Sequence, residues 1–530
     1  MVRGRYPASL LSGLAAPPSW ARANTLMTRR PCITSCPGGP LDWSFEQSVL
    51  PSAPMIRLHA LAIATICATL AACAREQAPP YDLVVANGRV LDPESGLDAV
   101  RHLGIRGGKI EAVSESPLRG GRVIDASRHV VSPGFVDLHE HGQQDESYRM
   151  MVRDGVTSAF ELEVGTGDVA AWYAARDAGQ MVNYGVSVGH IPARMKVLGD
   201  PGRGLLPAGI GGSGTATDAQ MAAMELILRE GLAQGAVAMG FGSAYTPGAP
   251  MAEIERMFRV AAEGGVSAHI HMRGGLTGLH ETIAAAAAAD AALHIVHVNS
   301  SAGDELDAFL SAIQAARDAG QDVTTEAYPY GAGMTEIQSA LFDDWPTWPD
   351  ARFGLHQLVS SGQRLARATF GAAREAGGTV IIHGRSEEQT RAAIASPLAM
   401  IASDGFIETG RGHPRTSGTF AKVLGKYVRE DKVVPLMDAV RRMTLDPAHR
   451  LERRTPAMMN KGRIKVGADA DLTIFDPATV IDRATYEDAT IASAGIPYVI
   501  VGGQLVVEGG DVTAARPGRA IRAPIAAARR

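Results

Sequence analysis

The chain has 530 residues, of which 46% are hydrophobic and 20% charged, and its formal net charge is −5. This composition is ordinary for a globular protein, and the length exceeds that of one small domain. The lack of long runs of one charge excludes a basic nucleic-acid surface and a polybasic membrane surface. We therefore expect a small-molecule substrate as the partner, and the sequence leaves the oligomeric state open.

The N-terminal region has the features of an export signal. A short basic segment begins at Met55 and leads into the apolar run 58–70, which is too short to span a bilayer as an ordinary helix. The run ends in Leu-Ala-Ala-Cys at Cys73, which resembles the lipobox of bacterial lipoproteins, whose cysteine is lipidated. The alternatives are a plain signal peptide and a buried helix.

We therefore expect a lipoprotein-type signal peptide at 55–73 and a lipid anchor on Cys73. This predicts an exported protein of the bacterial cell envelope, periplasmic and in contact with the membrane only through that anchor. Residues 1–54 show no periodicity and precede a better start at Met55, so we interpret them as a non-structural extension or a wrongly assigned start. All four cysteines lie at or before position 73, which excludes disulfides and thiolate ligands from the rest of the chain.

Short strand-like segments occupy both ends of the remaining chain. Residues 81–92 and 102–113 alternate apolar and polar positions and contain Asn-Gly and Gly-Gly turn signals. Similar segments recur near the far end, around 471–476 and 498–508. Because a different pattern separates the two sets, we predict one small β-sandwich domain assembled from residues 81–132 and 459–525.

The central stretch 133–458 alternates short apolar strands with helical segments, which is the pattern of parallel βαβ units. The candidate strands are 133–139, 156–163, 183–189, 235–241, 266–271, 293–298, 322–327 and 398–404. Eight strands close a TIM-type barrel, so we predict an α/β fold with a (β/α)8 barrel. A further strand-like stretch at 379–383 is assigned to an insertion, about 340–395, before the last barrel strand.

Two histidines mark the end of the first candidate strand. His139 and His141 are spaced i, i+2, which points both imidazoles to the same face of a strand, so they can share one metal ion. They lie at the carboxyl end, where barrel enzymes keep their chemistry. Taken alone, the pair could equally be structural or exposed.

Later strands end in further candidate ligands. His271 and His297 lie nearest the carboxyl ends of their strands, and Asp404 ends the last strand before a glycine. An isolated Ser-Asp-Gly would simply cap a turn, but histidines at the other strand ends favour a metal site. Beside a metal, Asp404 can ligate, take a proton from water and pass it to a leaving group.

A pair of metal ions needs a bridging anion. A carboxylated lysine can serve, but Lys196 is the only lysine between residues 142 and 400, and it lies outside the candidate strands. The strand 156–163 offers two carboxylates on one face, Glu161 and Glu163. We choose Glu163 because it is nearer the carboxyl end, whereas Glu161 would lie deeper, where an unpaired carboxylate is costly.

In their order along the chain, these residues resemble the ligand set of the amidohydrolase superfamily, whose fold is a (β/α)8 barrel with a composite β-sandwich. Shorter motifs resemble the N-acyl-D-amino-acid deacylases, namely Gly155-Val-Thr157, His271-Met-Arg273, Glu326-Ala-Tyr328-Pro-Tyr330, Ser403-Asp404-Gly405 and Gly412-His413-Pro-Arg415. The chain departs from that family in two places. Glu163 or a neighbour stands where the family usually has a zinc-binding cysteine, and Asn299 stands where a basic residue is expected.

The resemblance implies one or two zinc ions held by six side chains: His139, His141, Glu163, His271, His297 and Asp404. It implies hydrolysis of the amide bond of N-acyl-D-amino acids or similar small carboxylated amides by zinc-activated water, with Asp404 as base and then acid. The candidate substrate-binding residues are Tyr328, Arg415, Arg273, His190 and His413. An arginine beside the catalytic residues can clasp a carboxylate, although an ordinary loop salt bridge is the alternative.

Other functions stay open. A cyclic amidase, or a dipeptidase that releases D-residues, would use the same kind of site, and the missing carboxylated lysine disfavours the cyclic amidase. An exported metal- or solute-binding lipoprotein without turnover is the alternative from another functional class. The acid at position 404 disfavours it, because a pure binding site does not require a placed acid–base group.

Overall fold

The computed structural model describes residues 80–525. The predicted extension 1–54, the signal peptide 55–73 and the lipidation of Cys73 lie outside the described residues. Within the described part, no helix combines the length and apolar character that crossing a membrane requires.

Eight parallel strands form the barrel, and each pairs with the next along the chain. Their bounds are Phe135–Asp137, Val156–Thr166, Asn183–Gly189, Met239–Gly242, Ser267–His271, Ala292–Ile295, Val323–Ala327 and Ala399–Ile401. The first and eighth strands meet just past their carboxyl ends, where the N–H of Asp404 donates to the carbonyl of His139 over 2.7 Å. The predicted (β/α)8 barrel is confirmed.

Helices cover the outside of the barrel, so its strands are buried on both faces. The α-helices are Asp145–Arg153, Val169–Ala174, His190–Leu198, Ile210–Ser213, Asp218–Ala233, Met251–Gly264, Gly275–Ala288, Val298–Ser301, Leu306–Asp318, Glu387–Ala395, Arg415–Lys422, Leu436–Met443 and Leu445–Glu452. A π-helix, Val423–Glu430, and the short 3-10 helices Gly303–Glu305 and Pro456–Asn460 complete the set. Local sequence sets the boundaries: Thr217 and Gln220 form a capping box where Asp218–Ala233 begins.

A nine-stranded sheet joins the two ends of the described chain. Its strands are Tyr81–Asp92, Leu97–Arg106, Lys109–Ser114, Gly120–Asp125, Val130–Pro133, Leu472–Phe475, Tyr498–Val501, Gln504–Glu508 and Asp511–Val512. The strand Val130–Pro133 pairs antiparallel with Leu472–Phe475, with Val131 opposite Ile474, and this strand pair joins the two halves of the sheet. The sheet has its own apolar core, which includes Leu83, Leu103 and Ile500.

The two turn signals of the first strands behave differently. Gly107 and Gly108 have positive φ values of 57° and 79° and form the expected two-residue hairpin turn. Asn87 and Gly88, which the sequence predicts as a turn, instead lie inside the strand Tyr81–Asp92, where the register shifts and Asn87 has a φ of 61°. The pair forms a bulge, because an extra residue can be absorbed within a strand as well as between strands.

The last described residues leave this sheet. Its final strand ends at Val512, and the following chain lies along the barrel, where the N–H of Ile521 donates to the carbonyl of Tyr184 over 2.7 Å. The N–H of Ala523 likewise donates to the carbonyl of Gly235 over 3.1 Å. The strands therefore stop short of residue 525, because the backbone groups of the barrel provide partners for the final segment.

A small antiparallel sheet, called the inserted sheet below, interrupts the barrel before its eighth strand. Its strands are Ala332–Glu336, His356–Leu358 and Thr379–His383, and its short helices are Ala340–Phe342, Trp345–Thr347, Asp350–Phe353 and Arg367–Ala376. Phe342, Trp348 and Phe370 pack in its core. The insertion thus begins at residue 332 rather than about 340. Residues 387–395 do not belong to the inserted sheet, because they form a helix that packs on the eighth barrel strand.

Lys461 sits in a buried junction between the nine-stranded sheet and the barrel. Its amine lies 2.5 Å from Asp471 and 2.9 Å from Asp469. Asp471 also accepts hydrogen bonds from the backbone N–H of Gly502 in the sheet and the side chain of Asn183 in the barrel. Burial alone would lower the pKa of Lys461, but the two carboxylates raise it, so the amine stays charged and holds the junction together.

Replacing this buried amine should destabilise the protein. In Lys461→Met, two carboxylates lose their shared cation, and we expect the free energy of unfolding to fall by about 3–5 kcal/mol. Urea denaturation followed by circular dichroism measures the loss. The matched control is Lys465→Met, which removes a half-exposed ion pair with Glu94 and should change stability by less than about 1 kcal/mol. Equal losses in the two variants would contradict the role of the junction.

Candidate metal centre

The structure brings the six predicted ligands together at the carboxyl ends of five barrel strands: His139, His141, Glu163, His271, His297 and Asp404. Parallel strands deliver their carboxyl ends to the same mouth of a barrel, so residues far apart in sequence become neighbours. The carboxylate of Asp137 fixes the first and last of these strands relative to each other. It accepts the N–H of His139 over 3.2 Å and that of Ser403 over 3.0 Å.

Glu163 stands between two groups of ligands. Its Oε2 lies 2.5 Å from Nε2 of His139 and 3.5 Å from Nε2 of His141. Its Oε1 lies 3.0 Å from Nδ1 of His271, and Oε2 lies 3.9 Å from Nε2 of His297. The ligand atoms of each group lie within 4.8 Å of one another. Each group therefore offers a cation site, and Glu163 belongs to both.

Asp404 completes the first group. Its Oδ1 lies 3.4 Å from Nε2 of both His139 and His141. Its Oδ2 pairs over 2.9 Å with Nη1 of Arg415, a fully buried arginine. One oxygen of this carboxylate thus faces the imidazoles, while the other is held by a guanidinium.

Carboxylates behind the histidines set their orientation. Nδ1 of His139 bonds Oε1 of Glu326 over 2.5 Å, and Nδ1 of His141 bonds Oε2 of Glu161 over 2.6 Å. Each carboxylate accepts a hydrogen bond from Nδ1–H, so the Nε2 of a neutral imidazole presents a lone pair to the centre. Proteins commonly orient metal-binding histidines in this way.

The spacing of the imidazole nitrogens also fits a metal ion. Nε2 of His139 and Nε2 of His141 are 3.2 Å apart, and Nε2 of His297 lies 3.0 Å from Nδ1 of His271. Two lone pairs at such distances repel unless a cation lies between them. Ligands of a tetrahedral ion with bonds of about 2.0–2.1 Å are separated by about 3.3 Å. The residues present therefore fit a divalent metal ion.

The pKa shifts of the buried groups show a centre that attracts positive charge. Burial opposes a charge on His139 and His141, yet the surrounding carboxylates raise the pKa of both well above its usual range, and a bound metal ion would replace these protons. Burial alone would raise the pKa of Asp404, but Arg415 and His139 hold it well below its usual range. Burial likewise opposes ionisation of Glu163, and His139 and His271 hold its pKa well below its usual range. Burial, together with the adjacent His271, lowers the pKa of His297 to about 3. Two ionised carboxylates and a neutral imidazole are the forms in which these residues bind metals.

Two of the candidate ligands have a left-handed backbone. His297 has a φ of 35° and Asp404 a φ of 53°, a region that residues other than glycine rarely adopt and that costs roughly 1–3 kcal/mol. Nearby contacts hold both conformations: Ser301 bonds Nδ1 of His297 over 3.2 Å, and the N–H of Asp404 bonds the carbonyl of His139. Such strain clusters at functional sites, where surrounding contacts over-determine the backbone.

A cavity of about 630 Å³ opens onto the cluster. Its wall includes Leu205, Tyr245, Tyr328, Met334 and Arg385, which come from loops after the barrel strands and from the inserted sheet. Among the predicted substrate-binding residues, Tyr328 lines this cavity, and its hydroxyl accepts a hydrogen bond from Arg385 over 2.6 Å. The cavity is large enough for a small substrate.

Two of the predicted substrate-binding histidines lie outside the cavity lining. His190 is buried outside the cavity lining, and its Nε2 lies 2.8 Å from Glu253. His413 is also buried outside the lining, and its Nδ1 accepts the backbone N–H of Arg415 over 3.1 Å. His190 thus joins its helix to Met251–Gly264, and His413 holds its own loop, because closeness in sequence to a strand end does not decide which way a side chain points.

Two of the predicted substrate-binding arginines also lie outside the cavity lining. Arg273 extends away from the cavity and donates to the carbonyl groups of Thr246 and Pro247 over 3.4 Å. Arg415 is fully buried and its guanidinium pairs with the carboxylate of Asp404 over 2.9 Å. Breaking a buried ion pair is strongly destabilising, so we expect Arg415 to stay paired with Asp404.

Sequence reasoning gives no site role to three residues. Glu161 is set aside in favour of Glu163, and Glu326 is noted only within a motif, yet they support His141 and His139 from barrel strands. Both lie at positions that point inward, so strand periodicity is a signal that could have assigned them a role. Arg385 reaches the cavity from the inserted sheet. No local pattern marks it, because its position depends on how that sheet packs against the barrel.

The comparison with protein families decides the identity. The model of the Amidohydrolase family matches residues 122–507. The chain belongs to the amidohydrolase family. It is therefore a hydrolase that acts on amide bonds, and its histidine and carboxylate cluster is the expected metal-binding site of such an enzyme.

Two relatives of known activity are similar to this chain over most of its length. This amidohydrolase is 31% identical over 489 residues to an N-acyl-D-glutamate deacylase of Alcaligenes xylosoxydans xylosoxydans, covering 83% of this chain and 96% of the relative. It is 30% identical to a D-aminoacylase of the same organism, covering 83% and 98%.

Solved structures of the same kinds of enzyme are also similar to this chain. The N-acyl-D-glutamate deacylase of Bordetella bronchiseptica, complexed with zinc and a phosphonate inhibitor, matches with a TM-score of 0.72 and 28% identity, over 84% of this chain and all of that one. A D-aminoacylase matches with a TM-score of 0.70 and 26% identity, over the same shares. A D-hydantoinase, at 15% identity and a TM-score of 0.57 over 84% of this chain and 99% of that one, shows only the shared fold.

The central position of Glu163 predicts the metal content of variants. Glu161→Gln loosens His141 only from behind, so we expect metal affinity to fall by about 10- to 100-fold. Glu163→Ala removes a ligand from both groups, so the fall should be larger. Mass spectrometry of protein dialysed against buffered zinc measures bound metal.

Glu336→Gln is the matched control for these variants. This carboxylate lines the same cavity but bonds the backbone N–H of Leu205 over 2.9 Å, so its loss should leave the metal content unchanged. A Glu163→Ala protein that retains full metal content would remove Glu163 from the ligand set.

Proposed function

We propose that this amidohydrolase is a zinc-dependent deacylase of N-acyl-D-amino acids or similar small carboxylated amides. The observation that carries the proposal is the placement of Asp404, which faces His139 and His141 with one oxygen and is held by Arg415 with the other. The names of the relatives, N-acyl-D-glutamate deacylase and D-aminoacylase, support the substrate class.

The donor set suits zinc, which binds imidazole nitrogen and carboxylate oxygen. One ion would be held by His139, His141, Glu163 and Asp404, and a second by the Glu163 group that contains His271 and His297. When bound, zinc polarises the amide carbonyl and lowers the pKa of a water molecule. The Bordetella bronchiseptica deacylase, whose structure contains zinc, supports this choice of metal.

Asp404 moves the proton of the reaction. In its ionised form, Oδ1 takes a proton from the attacking water, whose oxygen bonds the acyl carbon. Oδ1 then gives this proton to the amide nitrogen as the carbon–nitrogen bond breaks, so the amine leaves and Asp404 is ionised again. Arg415 keeps Oδ2 in place during both transfers, so the acting oxygen does not swing away.

The substrate class can be tested with a hydrolysis screen of purified, zinc-loaded protein on N-acetylated D- and L-amino acids. We expect turnover of D-substrates and little or none of the L-forms. Hydantoins and dipeptides with D-residues in the same screen measure the cyclic-amidase and dipeptidase alternatives. A protein that binds zinc but hydrolyses none of these compounds would match the binding-lipoprotein alternative and contradict the proposal.

Asp404→Asn tests the acid–base step. Because the amide cannot accept the proton, we expect kcat to fall by about 10²- to 10⁴-fold, with an unchanged circular dichroism spectrum. Steady-state kinetics on the best substrate of the screen measures the loss. Glu408→Gln changes an exposed carboxylate at the rim of the same cavity and should keep near wild-type rates. Full activity in Asp404→Asn would exclude this residue as the proton carrier.

A further inference from the structure

An arginine of the inserted sheet lines the cavity without an anionic partner. Arg385 follows the strand Thr379–His383 and is half-buried. Across residues 80–525, no carboxylate lies within 4.0 Å of its guanidinium nitrogens. An uncompensated cation in a partly buried place is costly, so its charge points to an anion that binds there.

The hydrogen bonds of Arg385 leave most of its capacity unused. Nη2 donates to the hydroxyl of Tyr328 over 2.6 Å, and Nη1 donates to the hydroxyl of Ser300 over 3.2 Å. Nε is buried and has no partner among the described residues. A guanidinium has five N–H donors in a fixed fork, and both of its present acceptors are neutral. The site is thus ready for a planar anion.

A second arginine beside the same tyrosine provides the contrast. The guanidinium carbon of Arg415 lies 4.7 Å from the ring centre of Tyr328, and that of Arg385 lies 5.3 Å from it. Arg415 is neutralised by Asp404, whereas Arg385 meets only hydroxyl groups. One arginine is committed to the proton-carrying carboxylate, and the other has its charge available for a ligand.

The other cationic side chain of the cavity wall is already occupied. Arg176 stacks on Trp172 at 3.8 Å, and its nitrogens donate to the carbonyl of Trp172 and to two oxygens of Gln143. Asn299, which stands where the sequence resemblance expects a basic residue, uses its side-chain amide to bond the carbonyl of Tyr328. Arg385 is therefore the group best placed to supply positive charge to a substrate.

We propose that Arg385 binds a carboxylate of the amino-acid part of the substrate. This inference rests on the proposed function and names the residue that reads the negative charge of its substrates. Two N–H groups of the guanidinium match the two oxygens of a carboxylate, and the Tyr328 hydroxyl, which accepts from Arg385, can donate its own proton to the same anion. Arg385 thus contributes to substrate binding and does not take part in proton transfer.

Kinetics of Arg385→Gln test the assignment on three substrates. N-acetyl-D-glutamate carries both the α-carboxylate and the side-chain carboxylate, N-acetyl-D-glutamine lacks the second, and N-acetyl-D-isoglutamine lacks the first. For N-acetyl-D-glutamate, we expect KM to rise roughly ten- to a hundredfold, because a charged hydrogen-bond pair is lost, while kcat changes little. Arg385→Lys keeps the charge without the fork and should recover part of the loss.

The amide substrate whose KM does not change in Arg385→Gln identifies the substrate carboxylate that Arg385 binds. If N-acetyl-D-isoglutamine shows no change, Arg385 reads the α-carboxylate; if N-acetyl-D-glutamine shows none, it reads the side chain. The same change on all three substrates, or no change on any of them, would overturn the proposal. Arg364→Gln is the matched control, because this exposed arginine near the inserted sheet donates only to the carbonyl groups of Gly354 and Leu355.

Calorimetry separates this inference from the proposed function. D-glutamate, which cannot be deacylated, is titrated into the zinc-loaded full chain and into its Arg385→Gln variant. Weaker binding by the variant supports the carboxylate site even if the wild-type protein hydrolyses none of the substrates. Normal hydrolysis with unchanged KM and unchanged D-glutamate affinity would refute the role of Arg385 and leave the proposed function standing.

Discussion

The site depends on one buried carboxylate. Glu163 lies between the pair His139 and His141 and the pair His271 and His297, and its two oxygens reach toward both. The negative charge of Glu163 attracts a cation to each group, and a cation there would relieve the repulsion between the lone pairs of the imidazoles. The barrel makes this arrangement possible, because parallel strands bring residues of the second, fifth and sixth strands to one mouth.

A second layer of interactions keeps these ligands in place. Glu326 accepts from His139 and, with its other oxygen, contacts Nε2 of His294 over 3.0 Å, so it links the metal centre to the polar interior of the barrel. Glu161 holds His141 and is itself anchored by the backbone N–H groups of Val164 and Gly165. The centre is therefore pre-organised, which limits the rearrangement that binding a metal requires.

The opposite wall of the cavity has a different origin. The inserted sheet brings Arg385 against Tyr328, while Arg415 approaches the same ring from the barrel and is engaged by Asp404. The sequence does not distinguish the two arginines, but their contacts differ. Arg415 pairs with the carboxylate of Asp404, whereas Arg385 lines the cavity. The candidate metal ligands thus belong to the barrel, whereas the arginine that we propose to bind the substrate carboxylate follows a strand of the inserted sheet.

The sequence by itself determined the elements and their order. Short apolar runs between helical segments mark the eight barrel strands. The candidate ligands follow because a strand end and its i, i+2 spacing are local properties of the chain. Glu163 could be chosen over Glu161 from position alone. The absence of cysteine after residue 73 and the scarcity of lysine between residues 142 and 400 limited the alternative bridging ligands. The bulge at Asn87 shows the limit of local signals, because the same two residues suit a turn or a strand.

The tertiary structure alone decided what each side chain contacts. Arg415 follows Asp404 closely in sequence, yet their ion pair and the burial of Arg415 depend on how the helix Arg415–Lys422 packs against neighbouring helices such as Asp145–Arg153. His190 bonds Glu253, and Arg385 reaches a cavity from a sheet that closes through contacts between distant segments. Periodicity fixes the face on which a residue lies, whereas its partners depend on the packing of segments far apart in the chain, which no local pattern records.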